Sequence, residues 1–350
     1  MLAENNFDAL AIQAWARMTL LERGVIQEKR AEVKQETQFN HQKMEFFSVQ
    51  KLRLEVMSTP VTQKMWVDLM GENPALHRDG RESIYVQMGQ ANVRMLPNHP
   101  VENISWWSAA VFANRLSEKN GYLPAYDFSG VRFDPATRAE DGTLMAVAGR
   151  AKINAQSQNI LGAEGFRLPT YEESCALMRF TSDQVHTEAA DLRDKTGVYT
   201  GVLLFEDYDW LKENSGMQTQ AVATRKPIAI DGQGFFDLRG NVREWTNRWY
   251  IISNRGGKYP SYSEVYSEDI IPAAHETVTA SPWWGAPPAR LQVYANGGTY
   301  NSLVADISRV IEHSEPTPVG RPDIGLRLMR SLEPKLSLIQ KLKSSWSRKK

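Results

Sequence analysis

Cysteine is almost missing from this chain of 350 residues, which contains only Cys175. A single cysteine excludes an intrachain disulfide and any zinc or iron–sulfur site that needs several thiolates. Cys175 falls on the apolar face of a predicted helix, and free cysteines in such positions are usually buried. We therefore expect a buried side chain rather than a reactive thiol.

An excess of charge is also absent, because 41 Lys and Arg residues face 41 Asp and Glu residues. This balance gives no reason to expect nucleic acid as a partner. No stretch reaches the roughly 18 consecutive apolar residues of a membrane span, and the N-terminus lacks a basic segment followed by a long apolar run. The expectation is a soluble, cytoplasmic protein without a transmembrane segment.

Metal-binding and nucleotide-binding motifs are lacking as well. The histidines are dispersed, and none belongs to a His-Glu-x-x-His pattern. They are His41, His77, His99, His186, His275 and His313. There is no phosphate-binding loop, nucleophile elbow or dinucleotide fingerprint. Convergence of distant histidines in the fold stays open, although surface or packed histidines are the commoner case.

Residues 1–45 carry apolar side chains at spacings of three and four, which predicts a helical extension bent near Gly24. These side chains are Phe7, Leu10, Ala14, Met18, Leu21 and Val25. The apolar stripe is expected to pack on the main domain, and packing on a second copy is the alternative. At the other end, residues 332–350 have apolar residues among lysines and arginines, which predicts a basic amphipathic tail or a solvated one.

Between these ends, residues 46–331 read as one domain with strands and short helices. Alternating apolar residues predict a strand from Phe47 to Val56. Thr62 caps a helix that ends at Gly71, and Ser105 caps a second that runs through Lys119. A third begins at Thr170 with a capping box. Long irregular segments are expected around residues 127–165, 181–233 and 250–290.

Five sequence blocks follow one another in a fixed order: Pro60–Trp66, His99–Trp106, Phe166–Glu173, Asp237–Trp245, and Asn296–Tyr300 with Ile324–Leu328. Together they resemble one family, the formylglycine-generating enzymes and related sulfatase-modifying factors. The resemblance implies an α+β fold, the family's loop-rich variant of the C-type lectin fold, here with an N-terminal helical extension.

The chain departs from the family pattern in its chemistry. Counted from Gly297 and Gly298, the positions that carry the copper-binding cysteine pair in the resembling enzymes are Ser302 and Ile307. A serine hydroxyl is not deprotonated near neutral pH, and isoleucine has no ligand atom. No copper cofactor is therefore expected.

Calcium is the ion that the resemblance implies. The matching ligand positions are the carboxylates of Asp237 and Glu244 and the backbone carbonyls of Gly240 and Val242. Hard oxygen ligands suit calcium, whose role would be structural. The alternative is a surface ion pair of Asp237 with Arg239 or Arg243.

The last family segment, from Tyr300 to Asp323, is polar and irregular. In the resembling lectin-like proteins this region faces a ligand, and such a segment between two rigid blocks fits a recognition surface. The candidate ligand-binding residues are Tyr300, Asn301, Ser302, Asp306, Glu312, His313, Arg321 and Asp323, with Trp283 and Trp284 from a preceding loop. A solvated loop and an ordinary packed loop are the alternatives.

These observations predict a degenerate family member that binds a protein or a small ligand and no longer oxidises cysteine. One alternative is an enzyme of the same superfamily with non-haem iron. Another is an assembly component that oligomerises through residues 1–45.

Overall fold

The computed structural model describes residues 44–134, 145–148, 151–154, 160–196, 201–253, 261–265, 290–303, 312–315 and 320–332. The predicted extension lies outside this part of the chain except for its last two residues, and so does the predicted tail except for residue 332. Trp283, Trp284, Asp306 and Ile307 are also outside the described residues.

Five α-helices lie in the described part of the chain. They are α1 (Gln63–Met70), α2 (Trp106–Lys119), α3 (Tyr171–Thr196), α4 (Gly201–Tyr208) and α5 (Lys212–Ser215). The strands there are β1 (Phe46–Val49), β2 (Leu54–Met57), β3 (Ile84–Met88), β4 (Ala91–Met95), β5 (Tyr126–Asp127), β6 (Arg132–Asp134), β7 (Met145–Ala148), β8 (Lys152–Ile153), β9 (Ile228–Ile230), β10 (Gln233–Phe235), β11 (Arg243–Ser253), β12 (Ser261–Val265), β13 (Arg290–Asn296), β14 (Glu312–Glu315), β15 (Ile324–Gly325) and β16 (Met329–Ser331).

The three predicted helix starts are confirmed at their caps. The Oγ1 of Thr62 accepts the N–H of Met65 at 3.2 Å, and the Oγ of Ser105 accepts the N–H of Ser108 at 3.0 Å. At α3, Glu173 donates its N–H to Thr170 and accepts the N–H of Thr170 in return, which is the predicted capping box. These caps satisfy backbone donors that a helix leaves free in its first turn.

The prediction of one strand from Phe47 to Val56 is wrong, because the chain folds back as the hairpin β1–β2. Leu52 donates its N–H to the carbonyl of Val49 at 3.1 Å, and Arg53 adopts a positive φ of 56°. The apolar residues are two apart on either side of this turn but three apart between Val49 and Leu52, a break in the alternation that marks the turn. Strand β16 pairs antiparallel with β2 and completes a three-stranded sheet.

The prediction of an irregular segment over residues 181–233 is also wrong. Helix α3 continues to Thr196, and α4 follows at Gly201–Tyr208. Val185 of α3 joins Phe205 and Tyr208 of α4 in one buried cluster. This packing gives both helices an apolar partner that their own sequences do not reveal.

The largest described sheet has five strands and leads into the loop of the candidate site. Its order is β12-β11-β13-β14, and β15 pairs parallel with β11. Strand β13 ends at Asn296, and Gly297 then takes a φ of 101°, which turns the chain into the loop that follows. Four two-stranded ribbons complete the described sheets.

Helix α2 and strand β11 meet in a core of buried tryptophans. Trp106 and Trp245 are fully buried, and each indole N–H reaches a carbonyl across the interface, Trp106 to Thr246 at 3.0 Å and Trp245 to Ile104 at 2.9 Å. Buried indoles of this kind contribute large apolar area while their one donor stays satisfied. Few helices, small sheets and long connections confirm the α+β prediction.

Candidate functional site

The loop that carries Tyr300 is attached to the fourth sequence block by its backbone. Gly298 donates its N–H to the carbonyl of Arg239 at 2.9 Å, and Tyr300 donates its N–H to the carbonyl of Asn241 at 2.9 Å. Because both bonds join main-chain atoms, they do not depend on which side chain stands at position 300. The block therefore holds the loop in place.

A second segment, which includes α5, holds the other side of the loop. Lys212 donates its N–H to the carbonyl of Ser302 at 3.0 Å, and the hydroxyl of Ser215 donates to the carbonyl of Tyr300 at 2.6 Å. The Oγ of Ser302 accepts the N–H of Thr299 at 2.9 Å. The Ser302 hydroxyl thus stabilises the turn itself.

A third segment places His77 and Glu102 beside Tyr300. The rings of His77 and Tyr300 meet edge to face, with 4.9 Å between their centroids. The Glu102 side chain is fully buried, and its Oε1 accepts the His77 backbone N–H at 2.7 Å. The Oε2 of Glu102 and the Nδ1 of His77 have no hydrogen-bond partner within the described residues. Burial raises the pKa of Glu102 to about 7.

A fourth segment contributes Asp323, which two arginines share. Arg243 donates to Oδ2 and Arg321 donates to Oδ1, each at 3.1 Å. The carbonyl of Arg321 accepts the N–H of Asn103 at 2.7 Å. A Cβ on Gly320 would lie 2.3 Å from the carbonyl oxygen of Asn103, so this contact requires glycine.

The Tyr300 side chain lies between these charged groups. Burial, together with the negative charges of Asp323 and Glu102, raises the pKa of its hydroxyl to about 12 against the opposing charges of Arg321 and Arg243. The hydroxyl therefore stays protonated at neutral pH. It makes no hydrogen bond within the described part of the chain, which leaves a donor for a ligand.

Tyr300 is only 8% exposed, but three exposed apolar side chains stand on the segments that contact it. The described residues include six large apolar side chains that are exposed, and three of these are Leu76 (56% exposed), Met217 (51%) and Leu303 (44%). Leu76 precedes His77, Met217 donates its N–H to the Ser215 hydroxyl at 3.1 Å, and Leu303 ends the same loop. Exposed apolar groups gathered in one place mark binding surfaces more often than scattered ones do. We call Tyr300, His77, Leu76, Met217 and Leu303 the Tyr300 surface.

The structure brings together some of the predicted ligand-binding residues and separates others. Tyr300, Asn301, Ser302, Arg321 and Asp323 lie on the two segments that meet here. Glu312 and His313 lie in β14, where they pair with Asn296 and Ala295 of β13. Sequence reasoning missed Leu76, His77, Glu102 and Met217. The sequence could have indicated Glu102, because it is a carboxylate inside the second family block, between the apolar residues Val101 and Ile104.

The predicted calcium ligand Asp237 is buried, with 2% of its surface exposed. Its Oδ2 accepts the N–H of Ala223 at 3.0 Å, and its Oδ1 accepts from the side-chain amide of Asn241 at 3.4 Å. Burial raises the pKa of Asp237 to about 6. The alternative of a surface ion pair is therefore wrong.

The carboxylate of Glu244 already faces a cation of the protein. Arg327 donates from Nε to Oε1 of Glu244 at 2.9 Å, and the same guanidinium reaches the carbonyls of Met57, Phe236 and Asp237. Burial raises the pKa of Glu244, and the Arg327 charge opposes this shift.

Gly240 and Val242, the predicted carbonyl ligands, lie in the same block. Gly240 is needed for close packing, because a Cβ there would lie 2.6 Å from the carbonyl oxygen of Trp210. Across the described residues, no three His, Cys, Asp or Glu side chains gather in an arrangement that could hold a metal. Calcium in this block stays a prediction.

Asp209 is a buried carboxylate that sequence reasoning did not single out. Its Oδ1 accepts the N–H of Arg239 at 3.0 Å, and its Oδ2 has no hydrogen-bond partner among the described residues. Burial raises the pKa of Asp209 to about 7, and the Asp237 charge adds to the shift. The group lies at the base of the segment that holds the Tyr300 loop.

Two of the dispersed histidines come close to each other. Gln63 donates its N–H to the carbonyl of His99 at 2.8 Å and its side-chain amide to the carbonyl of His77 at 2.9 Å. The Nδ1 of His99 contacts the Thr219 hydroxyl at 3.2 Å. Burial lowers the pKa of both histidines, so both are mostly neutral at pH 7.

The remaining sequence expectations concern Cys175 and the membrane. Cys175 is buried as predicted, and the amide of Asn296 donates to its sulfur at 3.3 Å. None of the helices in the described part of the chain is long and apolar enough to span a bilayer.

Small twisted sheets, a few capped helices and a loop site beyond β13 define a domain like that of the formylglycine-generating enzymes. The sequence profile of the sulfatase-modifying factor enzyme 1-like domain matches residues 8–332, and the chain belongs to this family. The match includes most of the predicted helical extension.

Known proteins of several bacteria are similar to this chain. The chaperone protein LppX of Paenibacillus barcinonensis is 29% identical over 197 residues, which are 54% of this chain and 60% of that protein. The match thus spans less than two thirds of the relative's length. Treponema denticola variable protein 1 is 22% identical, covering 79% of this chain and 84% of its own, with a TM-score of 0.48. CarF is 21% identical, covering 79% and 86%, with a TM-score of 0.43.

Proposed function

We propose that this chain is a binding module that holds a protein segment or a small ligand on the Tyr300 surface. The observation that carries the proposal is the meeting of separate chain segments at Tyr300, whose hydroxyl makes no hydrogen bond within the described residues, with the exposed side chains of Leu76, Met217 and Leu303 on those segments. Binding sites combine apolar area with a few placed polar groups in this way. The Tyr300 hydroxyl would give such a ligand its orientation.

The same proposal excludes copper-dependent oxidation by a cysteine pair. The chain has one cysteine, Cys175, and it is buried. Ser302, at one of the positions expected to carry a cysteine, uses its hydroxyl to accept a backbone N–H of its own turn. Both facts support a member of the family without that chemistry.

A protein ligand is favoured over a small molecule. The Paenibacillus barcinonensis relative is named a chaperone protein, and a chaperone acts on polypeptide. Exposed leucine and methionine side chains also suit an apolar side chain of a polypeptide better than a strongly polar metabolite.

A selection from a random peptide library displayed on phage tests the proposal. Peptides selected on the wild-type chain should bind it in calorimetry with one site per chain. Met217→Asp and Leu303→Asp should each weaken binding about tenfold, which corresponds to ~1.4 kcal/mol. Leu161→Asp is the matched control, because Leu161 is 38% exposed and lies by Ser331 at the three-stranded sheet.

Selected peptides that bind both aspartate variants as tightly as the wild type would contradict the proposal. Stoichiometric iron or copper in the purified protein would favour the enzyme alternative. Deletion of residues 1–45 tests the assembly alternative. If that segment holds an oligomer together, light scattering should show that the deleted protein has a smaller oligomeric mass than the full chain. An unchanged mass contradicts it.

A further inference from the structure

One face of the β3–β4 ribbon consists of apolar side chains only. In an antiparallel pair, opposite residues lie on the same face, and so do residues two apart along each strand. The register of the two strands therefore places six apolar residues together, and we call them the ribbon face: Ile84 pairs with Met95, Val86 with Val93, and Met88 with Ala91. The opposite face carries Tyr85 and Gln87 of β3 with their partners from β4.

The ribbon face is only partly covered within the described residues. Ile84 is 40% exposed and Ala91 is exposed, while Val86, Met88 and Val93 are half-buried. The three apolar clusters of this part of the chain include none of the six residues. A two-stranded hairpin alone is marginally stable in water, and packing against a helix is one way to stabilise it. We therefore expect an apolar partner for this face.

Residues 1–43 contain an apolar stripe that suits this role. Its members, from Phe7 to Val25, recur at spacings of three and four, which predicts one face of a helix. The family profile starts at residue 8, so most of this segment belongs to the family domain. A helix from Phe7 to Val25 would be about 28 Å long, and a five-residue strand is about 17 Å long. The stripe is therefore long enough to cover the ribbon face.

The segment also joins the domain close enough to reach the ribbon. The carbonyl of Glu45 accepts the N–H of Ser58 at 2.9 Å. The side-chain oxygen of Gln63 accepts the N–H of Leu96, which follows β4, at 2.9 Å. The chain between Ser58 and Gln63 spans at most about 18 Å. The residues between Val25 and Met44 can span up to about 60 Å, so they bridge this gap easily.

We propose that residues 1–43 fold back on their own domain and cover the ribbon face with the stripe from Phe7 to Val25. Removing both apolar surfaces from water drives this contact. A second copy of the chain on the ribbon face would cover that face and not the stripe, whereas the extension covers both at once. The inference does not involve the Tyr300 surface.

Photo-cross-linking in the full chain tests the contact. A diazirine amino acid replaces Val86, and ordinary and nitrogen-15-labelled proteins are mixed in equal amounts, irradiated and digested. Mass spectrometry should find cross-links from position 86 to peptides between Phe7 and Val25, with both peptides of each pair carrying the same isotope. The same amino acid in place of Gln87, on the opposite face, is the matched control and should give no such cross-link.

Thiol labelling of the full chain measures the cover independently. Burying one apolar side chain favours the docked state by about tenfold or more, so Val86→Cys should react with a maleimide about tenfold more slowly than Gln87→Cys. The buried Cys175 of the wild type provides the slow baseline. Leu10→Asp with Leu21→Asp should raise the rate at position 86 to that at position 87, whereas Thr19→Asp, which lies off the stripe, should not.

Each other outcome overturns the inference. Cross-linked pairs of mixed isotope, or protection that increases with protein concentration, would assign the ribbon face to a second copy. Equal labelling at positions 86 and 87 would show an open face, and protection that survives both aspartates would assign the cover to another segment. If fast labelling of Cys175 reveals that the aspartate variant has unfolded, the cross-link decides alone.

Discussion

Replacing Glu244 with glutamine should destabilise the domain strongly, because it leaves the Arg327 guanidinium buried without a counter-charge. The Arg327 side chain is fully buried, and Glu244 Oε1 accepts from its Nε at 2.9 Å. Removing one partner of a buried pair costs about 3–5 kcal/mol. Glutamine keeps an acceptor oxygen, and the carbonyls of Met57, Phe236 and Asp237 still solvate the guanidinium. We therefore expect the lower end, about 3 kcal/mol.

Thermal unfolding at a fixed scan rate measures this effect. A loss of about 3 kcal/mol lowers the Tm of a domain of this size by roughly 6 °C, at about 2 °C per kcal/mol. Glu55→Gln is the matched control, because Glu55 pairs with Arg330 while their side chains are 26% and 17% exposed. Such a pair contributes at most about 1 kcal/mol.

A Tm of Glu244→Gln no lower than that of Glu55→Gln would refute the reasoning. Combining Glu244→Gln with Arg327→Met should not restore stability. The methionine removes the unpaired charge, but the carbonyls of Met57, Phe236 and Asp237 then lose their donors, and each buried group without a partner costs about 1–3 kcal/mol.

Three further predictions concern a titrating carboxyl, a glycine and an ion. Burial raises the pKa of Asp209 from 3.8 to about 7, so its protonated form stabilises the fold below about pH 4 and this stability is lost as the pH rises through 7. The Tm of Asp209→Asn minus that of the wild type should therefore be larger at pH 8 than at pH 5. An equal difference at the two pH values would contradict this. Gly320→Ala should lower the Tm by several degrees through its clash with the Asn103 carbonyl, whereas Gly80→Ala, with only a side-chain contact at 3.5 Å, should change it little. If calcium binds the fourth block, a chelator should lower the Tm of the wild type and not that of Asp237→Asn; no shift on chelation in the wild type would exclude the ion.

Helix starts could be predicted because their causes are local. Thr62, Ser105 and Thr170 each bind a backbone N–H three residues ahead, and a sequence shows that spacing directly. The turn at Arg53 was missed although the sequence contains a sign of it, the spacing of three between Val49 and Leu52, which one continuous strand does not explain. The length of α3 depends on its contact with α4, which is a property of the packed fold.

The Tyr300 surface shows the same division between local and tertiary causes. The family blocks indicated the loop that carries Tyr300 and the neighbouring residues Arg321 and Asp323. His77 and Met217 lie more than 80 residues before that loop in the chain, and no local pattern connects them with it. Only the fold shows that these segments meet.

The Tyr300 loop is held by main-chain hydrogen bonds, so its position depends little on which side chains it carries. The N–H groups of Gly298 and Tyr300 and the carbonyl of Ser302 fix the loop to its neighbours, and any residue other than proline supplies the same groups. Substitutions at exposed positions such as Leu303 or Asn301 thus change what the surface contacts without loosening its frame. Under the proposed function, recognition can therefore change at these positions while the fold loses little stability.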